Sequence, residues 1–560
     1  MLIKKSIIAA ALFFLLFSAV TFAEEKSSNA PVTGPAEPEN TEIILPPMYL
    51  EIEDLSVEDI NAVIPDEDSI YLSAVEMPLP EPGDMKIPAE VFALSGPGIP
   101  DAHVDGETGG RSFFSEGTIG AGTSYNITGD INLYRIGELP DFRLRYYHNG
   151  YDGFAGQNTG EGFSYREELI EAEMNYSEEG FSSDFYVENN EIENGLQGLA
   201  DYFSMTHRLT ELEAGLGWML TDNLELTADV DGSASGMVLS ASSPLESSVF
   251  TLQPKAGLWV GDENLRVGLD LRYDLEGSFP IAGQAGLAQA AQLLGADLGF
   301  NAVLSEEFKF NLEAGVLWKD YTELYFPFAL SVSGIIDGNL DYALSGGYEA
   351  GRQYYKDLWK DYPFASAPAD SAVLEELPLT HGWFGEGSLG WNILENFIVR
   401  SSVSFSNLTD ALMPGTSTLT GLGSVTTHDR ICLDADAEFY FRLSDGFAMT
   451  AGWEGQLLDQ IDFFLPRHKI YADLELNSDD GNMGLIAGSE FRFYDDSQSW
   501  YVNDWLPVLR LEGYLRFSDS FMLSVFAEDL ASGLLSSGRN YWNGYFDRGL
   551  FLQIKTKISL

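Results

Sequence analysis

From about Gly120 to the last residue, apolar and polar residues alternate in one strand-length run after another. The run Leu265-Arg266-Val267-Gly268-Leu269-Asp270-Leu271-Arg272-Tyr273-Asp274 is typical: odd positions are apolar or aromatic, even ones charged or glycine. A period of two makes the two faces of a β-strand chemically different. Strands this numerous, each charged on one face and greasy on the other, suit a closed sheet with hydrocarbon outside and water within. The expected fold class is all-β: an antiparallel transmembrane β-barrel of about 22 strands, preceded by a Pro-rich acidic arm.

Composition narrows the choice. The 560 residues suffice for one large barrel. Beyond residue 23 no stretch is long and uncharged enough for a membrane-spanning helix, which argues against a helical membrane protein. The 56 glycines and 13% aromatic content suit strands, tight turns and aromatic girdles. With 87 acidic against 30 basic residues the net charge is -57, which repels nucleic acid. Such a surface attracts cations or basic partners, although solvation of loops explains the charge as well. The single cysteine, Cys432, excludes an intramolecular disulfide; by strand parity it falls on the inner face, where a structural role is expected.

The N-terminus reads as a secretory signal over residues 1–23. Lys4 and Lys5 form its basic region, Ile7 to Val20 its apolar stretch, and Thr21-Phe22-Ala23 a small-residue cleavage site. Residues 24–110 are rich in Pro, Glu and Asp; Pro46-Pro47, Pro78, Pro80, Pro82, Pro97 and Pro100 interrupt regular structure. They are expected to form a flexible periplasmic arm, with one short helix capped at Ser56. The barrel is expected over 111–560.

Tight-turn compositions recur, among them Thr221-Asp222-Asn223, Ser305-Glu306-Glu307, Leu394-Glu395-Asn396, Ser444-Asp445-Gly446 and Ser518-Asp519-Ser520. Longer connections are expected at 150–162, 190–205, 233–247, 351–378, 407–424, 495–505 and 530–546. Alternation of short and long connections marks an outer-membrane barrel with tight periplasmic turns and long external loops. Ala282 to Leu294 reads either as the start of a strand or as a small helix in a loop.

Parity assigns the faces. Leu224, Leu226, Ala228 and Val230, the row Phe308 to Trp318, and the row Leu433 to Phe441 are expected to face lipid. The expected lumen-lining residues are Glu225, Asp229, Arg266, Asp270, Arg272, Lys309, Glu313, Asp434, Asp436, Arg442, Asp473, Glu475, Arg510, Glu512 and Arg516. A slip of one residue would carry these charges into lipid, so register is strongly specified. Trp218, Trp318, Trp383, Trp391, Trp453, Trp500, Trp505 and Trp542 lie near strand ends, as an interfacial girdle requires. In the last long loop Tyr541, Trp542 and Tyr545 are candidate ligand contacts.

The stretch Gly117-Thr118-Ile119-Gly120-Ala121-Gly122, then two strands and Tyr147-His148-Asn149-Gly150-Tyr151-Asp152-Gly153-Phe154, resembles the first barrel strands of TonB-dependent outer-membrane receptors. Phe526-Ala527-Glu528-Asp529-Leu530, Gly538-Arg539 and the alternating end Leu550 to Leu560 are similar to that family's last two strands. The resemblance covers about 110–560 and implies the barrel. The family's globular plug has no counterpart, because residues 24–110 are too short and too Pro-rich for it. The lumen is then filled by the arm, by inward-folded loops such as 351–378, or by a separate protein. Family members also offer a short segment to a periplasmic energy-coupling protein as an added strand; Glu42-Ile43-Ile44-Leu45 is the candidate here, with Met48 to Ile52 as an alternative. Ile554, Thr556, Ile558 and Leu560 keep the outward parity at the C-terminus, which suits recognition by the barrel-insertion machinery.

The six histidines are scattered without a zinc-binding spacing, and no calcium-loop order or phosphate-binding glycine loop occurs; no cofactor or metal is expected. His148-Asn149-Gly150 lacks the nearby nucleophilic Ser of the outer-membrane phospholipases it faintly resembles, and no enzyme is expected. The leading expectation is an integral barrel of a diderm outer membrane, with its arm in the periplasm and outer-membrane lipid around it, mediating solute passage or receptor-type uptake. The alternatives are a scaffold barrel whose arm docks a periplasmic partner, and a surface enzyme.

Overall fold

The computed structural model describes residues 113–135, 140–240, 245–262, 264–279, 289–320, 322–361, 379–415, 424–444, 446–458, 466–478, 480–494, 507–534, 540–542 and 545–559. The signal, the arm and Glu42 to Leu45 lie outside the described residues.

Every strand of the main sheet pairs antiparallel with its neighbours in the chain, and the sheet closes on itself. The first strand, Phe113–Gly122, pairs with Ile127–Arg135 on one side and with the last strand, Phe551–Ser559, on the other. Of the 23 strands in the sheet, Glu323–Tyr325 and Phe328–Ile336 are two pieces of one position: both pair with Phe308–Lys319 and are separated at Phe326-Pro327. The result is a barrel of 22 positions. Proline supplies no ladder donor, which accounts for the break.

The faces follow the sequence parity. On Leu265–Phe279, Leu265, Val267, Leu269 and Leu271 are exposed on the outer wall, while Asp270, Asp274 and Glu276 on the other face are buried. Equivalent outward rows occur at Phe308, Leu312, Val316 and Trp318 and at Ile431 and Phe439. Trp218, Trp318, Trp383 and Trp391 are all exposed on this outer face. No described helix is long and apolar enough to cross a membrane; crossing by strands is a separate matter. An Arg or Lys on such an outer face at mid-membrane costs about 2–4 kcal/mol, which fixes the parity.

Five tight connections share one geometry. Thr221 pairs with Leu224, Ser305 with Phe308, Leu394 with Phe397, Ser444 with Phe447 and Ser518 with Phe521. In each, the ladder slips by one residue just before that pair. The residues left out are Leu220, Leu304, Ile393, Leu443 and Phe517, every one large, apolar and exposed. A bulge leaves its extra residue unpaired and bends the strand, so each turn projects an apolar side chain at the barrel edge.

Three expected long connections are shorter; in 407–424 the strand Phe397–Gly415 pairs with Ser424–Ser444 as far as Gly415 with Ser424. Leu224–Ser240 and Leu245–Gly261 pair as far as Leu239 with Leu245, so 233–247 is mostly strand. Phe181–Gly195 likewise carries strand into the 190–205 stretch. The inward side chains here turn from charged to small or apolar (Ser233, Ser235, Met237, Leu239), which hides the alternation. Of Ala282 to Leu294, the strand Gln289–Ser305 takes the described part; residues 282–288 lie outside the described residues.

The upper interior holds the main apolar cluster. Leu196, Met205, Met237, Leu239 and Val249 come from the wall and its rim. Tyr355, Leu358 and Trp359 come from a helix, Tyr355–Asp361, in the connection after Leu340–Gly351. Leu412 and Tyr545 meet them from other elements. All these strand positions lie at the end away from the tight turns. The described part of the 351–378 connection therefore folds inward.

Candidate functional site

The inner wall is laced by ion pairs that bridge neighbouring strands. Arg266 pairs with Glu225, Lys255 with Asp270 at 3.2 Å, and Arg272 with Asp297 at 3.4 Å. Arg145 reaches Asp130 at 2.9 Å and Glu171 at 3.1 Å. Arg510 reaches Asp473 at 3.0 Å, and Lys469 reaches Glu454 at 2.8 Å. Lys557 with Glu116 spans the closing seam. Such cross-strand pairs are the sheet counterpart of helical i, i+4 pairs and help to pin register.

These contacts sort the expected lumen residues into separate sectors. Glu225 and Arg266 meet directly, while Asp229 stands opposite Lys255 in register, beside Asp270 and Arg272. Glu313 accepts from Asn311, Glu475 from Asn477, and Asp436 from Ser402. Asp434 is in register with Ser404 and Gln456, Arg442 with Ala448, and Lys309 with Ser333. Glu512 and Arg516 share the strand of Arg510. They are spread around the wall and do not converge on one point.

Convergence occurs at the inward helix. Tyr355, Leu358 and Trp359 recur at helical spacing and bury one side of it. Lys356 and Lys360, four residues apart, share the adjacent side and both donate to Glu211, at 3.0 and 2.9 Å. Lys356 also lies 3.8 Å from Asp231. Just before the helix, Arg352 stands 3.9 Å from Glu276 with both side chains buried, and the Tyr355 amide donates to Glu276 at 3.3 Å. Tyr354 accepts from Gln253. A seven-residue helix is marginal alone, so docking holds it. The Glu211–Lys356 pair is nearly dry on both sides (9% and 11% exposed); removing one partner of such a pair costs about 3–5 kcal/mol. Lys360 is half-exposed and contributes less.

Trp359 Nε1 and Arg352 Nη2 are buried with no protein hydrogen-bond partner. A cleft of about 370 Å³ borders Asp231, and its lining also includes Asp184, Glu213, Asp229, Lys255 and Arg272. Both cations there are already engaged by Asp270 and Asp297.

The last long loop packs against the same cluster. Tyr545 is fully buried, and Gln197 clasps Phe546 with its side chain, donating at 3.0 Å and accepting at 2.8 Å. Tyr541 and Trp542 lie on a short hairpin strand, and their side chains fall outside the described residues. Cys432 is buried on the inner face. Among the described residues no group of three or more His, Cys, Asp or Glu side chains could hold a metal ion.

Glu211, Glu276, Arg352, Lys356 and Lys360 were not among the expected site residues. A signal for three of them exists: basic residues number 30 in 560, yet Arg352, Lys356 and Lys360 fall within nine positions of an otherwise acidic chain.

Comparison with solved structures places this barrel. The ferric enterobactin receptor PfeA of Pseudomonas aeruginosa, in a mutant form, superposes with a TM-score of 0.59 at 10% identity, covering 80% of this chain and 81% of that one. The FrpB iron transporter of Neisseria meningitidis (F5-1 variant) gives 0.60 at 9% identity, over 80% and 83% of the two chains. The copper transporter OprC gives 0.57 at 11%, over 80% of each. The fold is that of the TonB-dependent receptor barrels. At such low identity the likeness concerns the fold alone. These TonB-dependent barrel neighbours are receptors and transporters by description, not enzymes. No family model and no curated protein sequence matches the chain.

Proposed function

We propose that this chain is an outer-membrane barrel that admits a solute through its lumen, with the long-loop end outside and the tight turns in the periplasm. The observation that carries this reading is the closed sheet itself: apolar side chains cover its outer face, and ion-paired charges line its inner face. A purely structural barrel has no need of an inner wall lined with ion-paired charges, and passage is a use for such a wall. The likeness to receptors and transporters of iron and copper supports uptake as the direction. The charges expected from sequence to line the lumen serve, in this reading, to keep the wall wet, and Glu42 to Leu45 remain the candidate strand for a periplasmic energy-coupling partner.

Flux tests it. The full chain, folded into liposomes, is expected to release an entrapped small solute or to pass current in a planar bilayer. Folded barrels that neither leak, conduct nor bind any solute would overturn the proposal.

A further inference from the structure

We propose that the helix Tyr355–Asp361 is a tethered gate for cationic solutes, held shut by Lys356 and Lys360 on Glu211 and opened by a multivalent cation that displaces them. The proposal rests on the passage reading above and adds a solute class to it.

Two observations carry it. First, the helix brings ammonium groups to a wall of carboxylates. Glu211 takes both lysines, and Asp231 lies 3.8 Å from Lys356. The lysines thus occupy the position that a free cation entering the lumen would take, and they are an internal competitor for it. Second, Lys360 is half-exposed while Lys356 is nearly buried, so the clamp has an outer contact that a solute reaches first. Displacing Lys360 leaves Lys356 to hold alone. A cation can shift the balance only by as much as it binds the freed carboxylates better than the clamped ones, so a multivalent cation is the effective competitor for two ammonium groups.

Once the lysines withdraw, Glu211 is added to Asp184, Glu213, Asp229 and Asp231, which already line the cleft. Lys255 and Arg272 remain engaged by their own acidic partners. The opened lane is therefore acidic, which raises the local concentration of cations and excludes anions.

The test uses the full chain in planar bilayers, with spermidine as the probe added on the long-loop side. Spermidine is expected to raise the open probability of the natural protein by about tenfold, a shift that sodium at matched ionic strength does not reproduce. The variant K356Q/K360Q is expected to be open at least about tenfold more often without spermidine and to be insensitive to it. The charge exchange E211K/D231K/K356E/K360E, which reverses both sides of the clamp, is expected to restore closure. In detergent, the part of the emission that Trp359→Phe removes is expected to shift to longer wavelength when spermidine is added. A K356Q/K360Q variant as closed as the natural protein, or spermidine that blocks or leaves unchanged the natural protein, would overturn the gate. An absence of current in every form, with heat-modifiable migration showing folded barrels, would overturn the passage reading as well.

Discussion

The indole of Trp259 lies across Gly268, its register partner on the next strand, so closely that a Cβ at Gly268 would sit 2.2 Å from the ring. The same ring reaches Gly299 one strand further on, at 2.6 Å from its missing Cβ. Arg266 stacks on the indole at 4.9 Å, and Nε1 donates to Asp270 at 3.2 Å. An aromatic covering a strand glycine restores the contacts that the glycine lacks. Tyr471 over Gly452 and Tyr514 over Gly484 repeat the arrangement elsewhere on the inner wall.

Gly268→Ala is therefore expected to destabilise the barrel by about 1–3 kcal/mol through overpacking. The loss should largely vanish in a Trp259→Ala background, because neighbours that share a contact couple strongly. Urea unfolding in detergent, followed by tryptophan emission and by heat-modifiable migration, measures both. Additive effects of the two substitutions would refute the contact.

Truncating the upper cluster should loosen the mouth and spare the wall. Leu358→Ala removes a side chain only 4% exposed and should cost about 2–5 kcal/mol of docking free energy. Limited proteolysis on the long-loop side is expected to cut this variant faster, with the barrel's unfolding midpoint nearly unchanged. A lower midpoint without faster cleavage would contradict this division.

Outside the membrane, Asp480 in the turn after Asn477 has its carboxyl held down at about 2 by hydrogen bonds from the Ser478 hydroxyl and from Asn482. Its folded value lies below the ordinary 3.8, so the turn's stabilisation is complete above that value and disappears as pH falls through about 2. Carboxyl NMR should show Asp480 titrating near 2, and Asp480→Asn should remove the acid dependence of Met483 amide protection. Titration near 3.8 would contradict the turn geometry.

Polarity of the two faces predicts unequal tolerance to charge. Leu312→Arg, on the outer wall, should lower barrel stability by about 2–4 kcal/mol. Asn311→Arg, its neighbour on the inner face, should be close to neutral. Folded fractions from heat-modifiable migration after refolding into lipid compare them. Equal losses would contradict the assigned faces.

The wall was legible in the sequence because each residue there obeys a two-way rule: Leu269 must meet lipid and Asp270 must not. Register then follows from parity, and tight turns follow from Asp, Asn, Ser and Gly at fixed places. The interior contacts obey no such rule. Trp259 and Trp359 point inward, one onto glycines and one into the loop cluster, and their neighbours in sequence do not announce either contact. The helix at Tyr355 is too short to carry a strong period, and its stability comes from residues about 145 positions away, such as Glu211. Tyr545 looks like a loop aromatic open to ligands, yet packing across the lumen buries it fully. The strands near Ser233 and Met237 lost their alternation where the wall stopped facing water and began to face the helix.

The central claim is that one strand face meets hydrocarbon and the other meets water. It is tested most directly by spin labels placed singly at positions 265 to 272, omitting Gly268 beneath Trp259 and the buried Asp270, in a Cys432→Ser background, in reconstituted lipid. Collision with oxygen should peak at 265, 267, 269 and 271, and collision with a water-soluble nickel chelate at 266 and 272. A reversed pattern, or none with period two, would contradict the account.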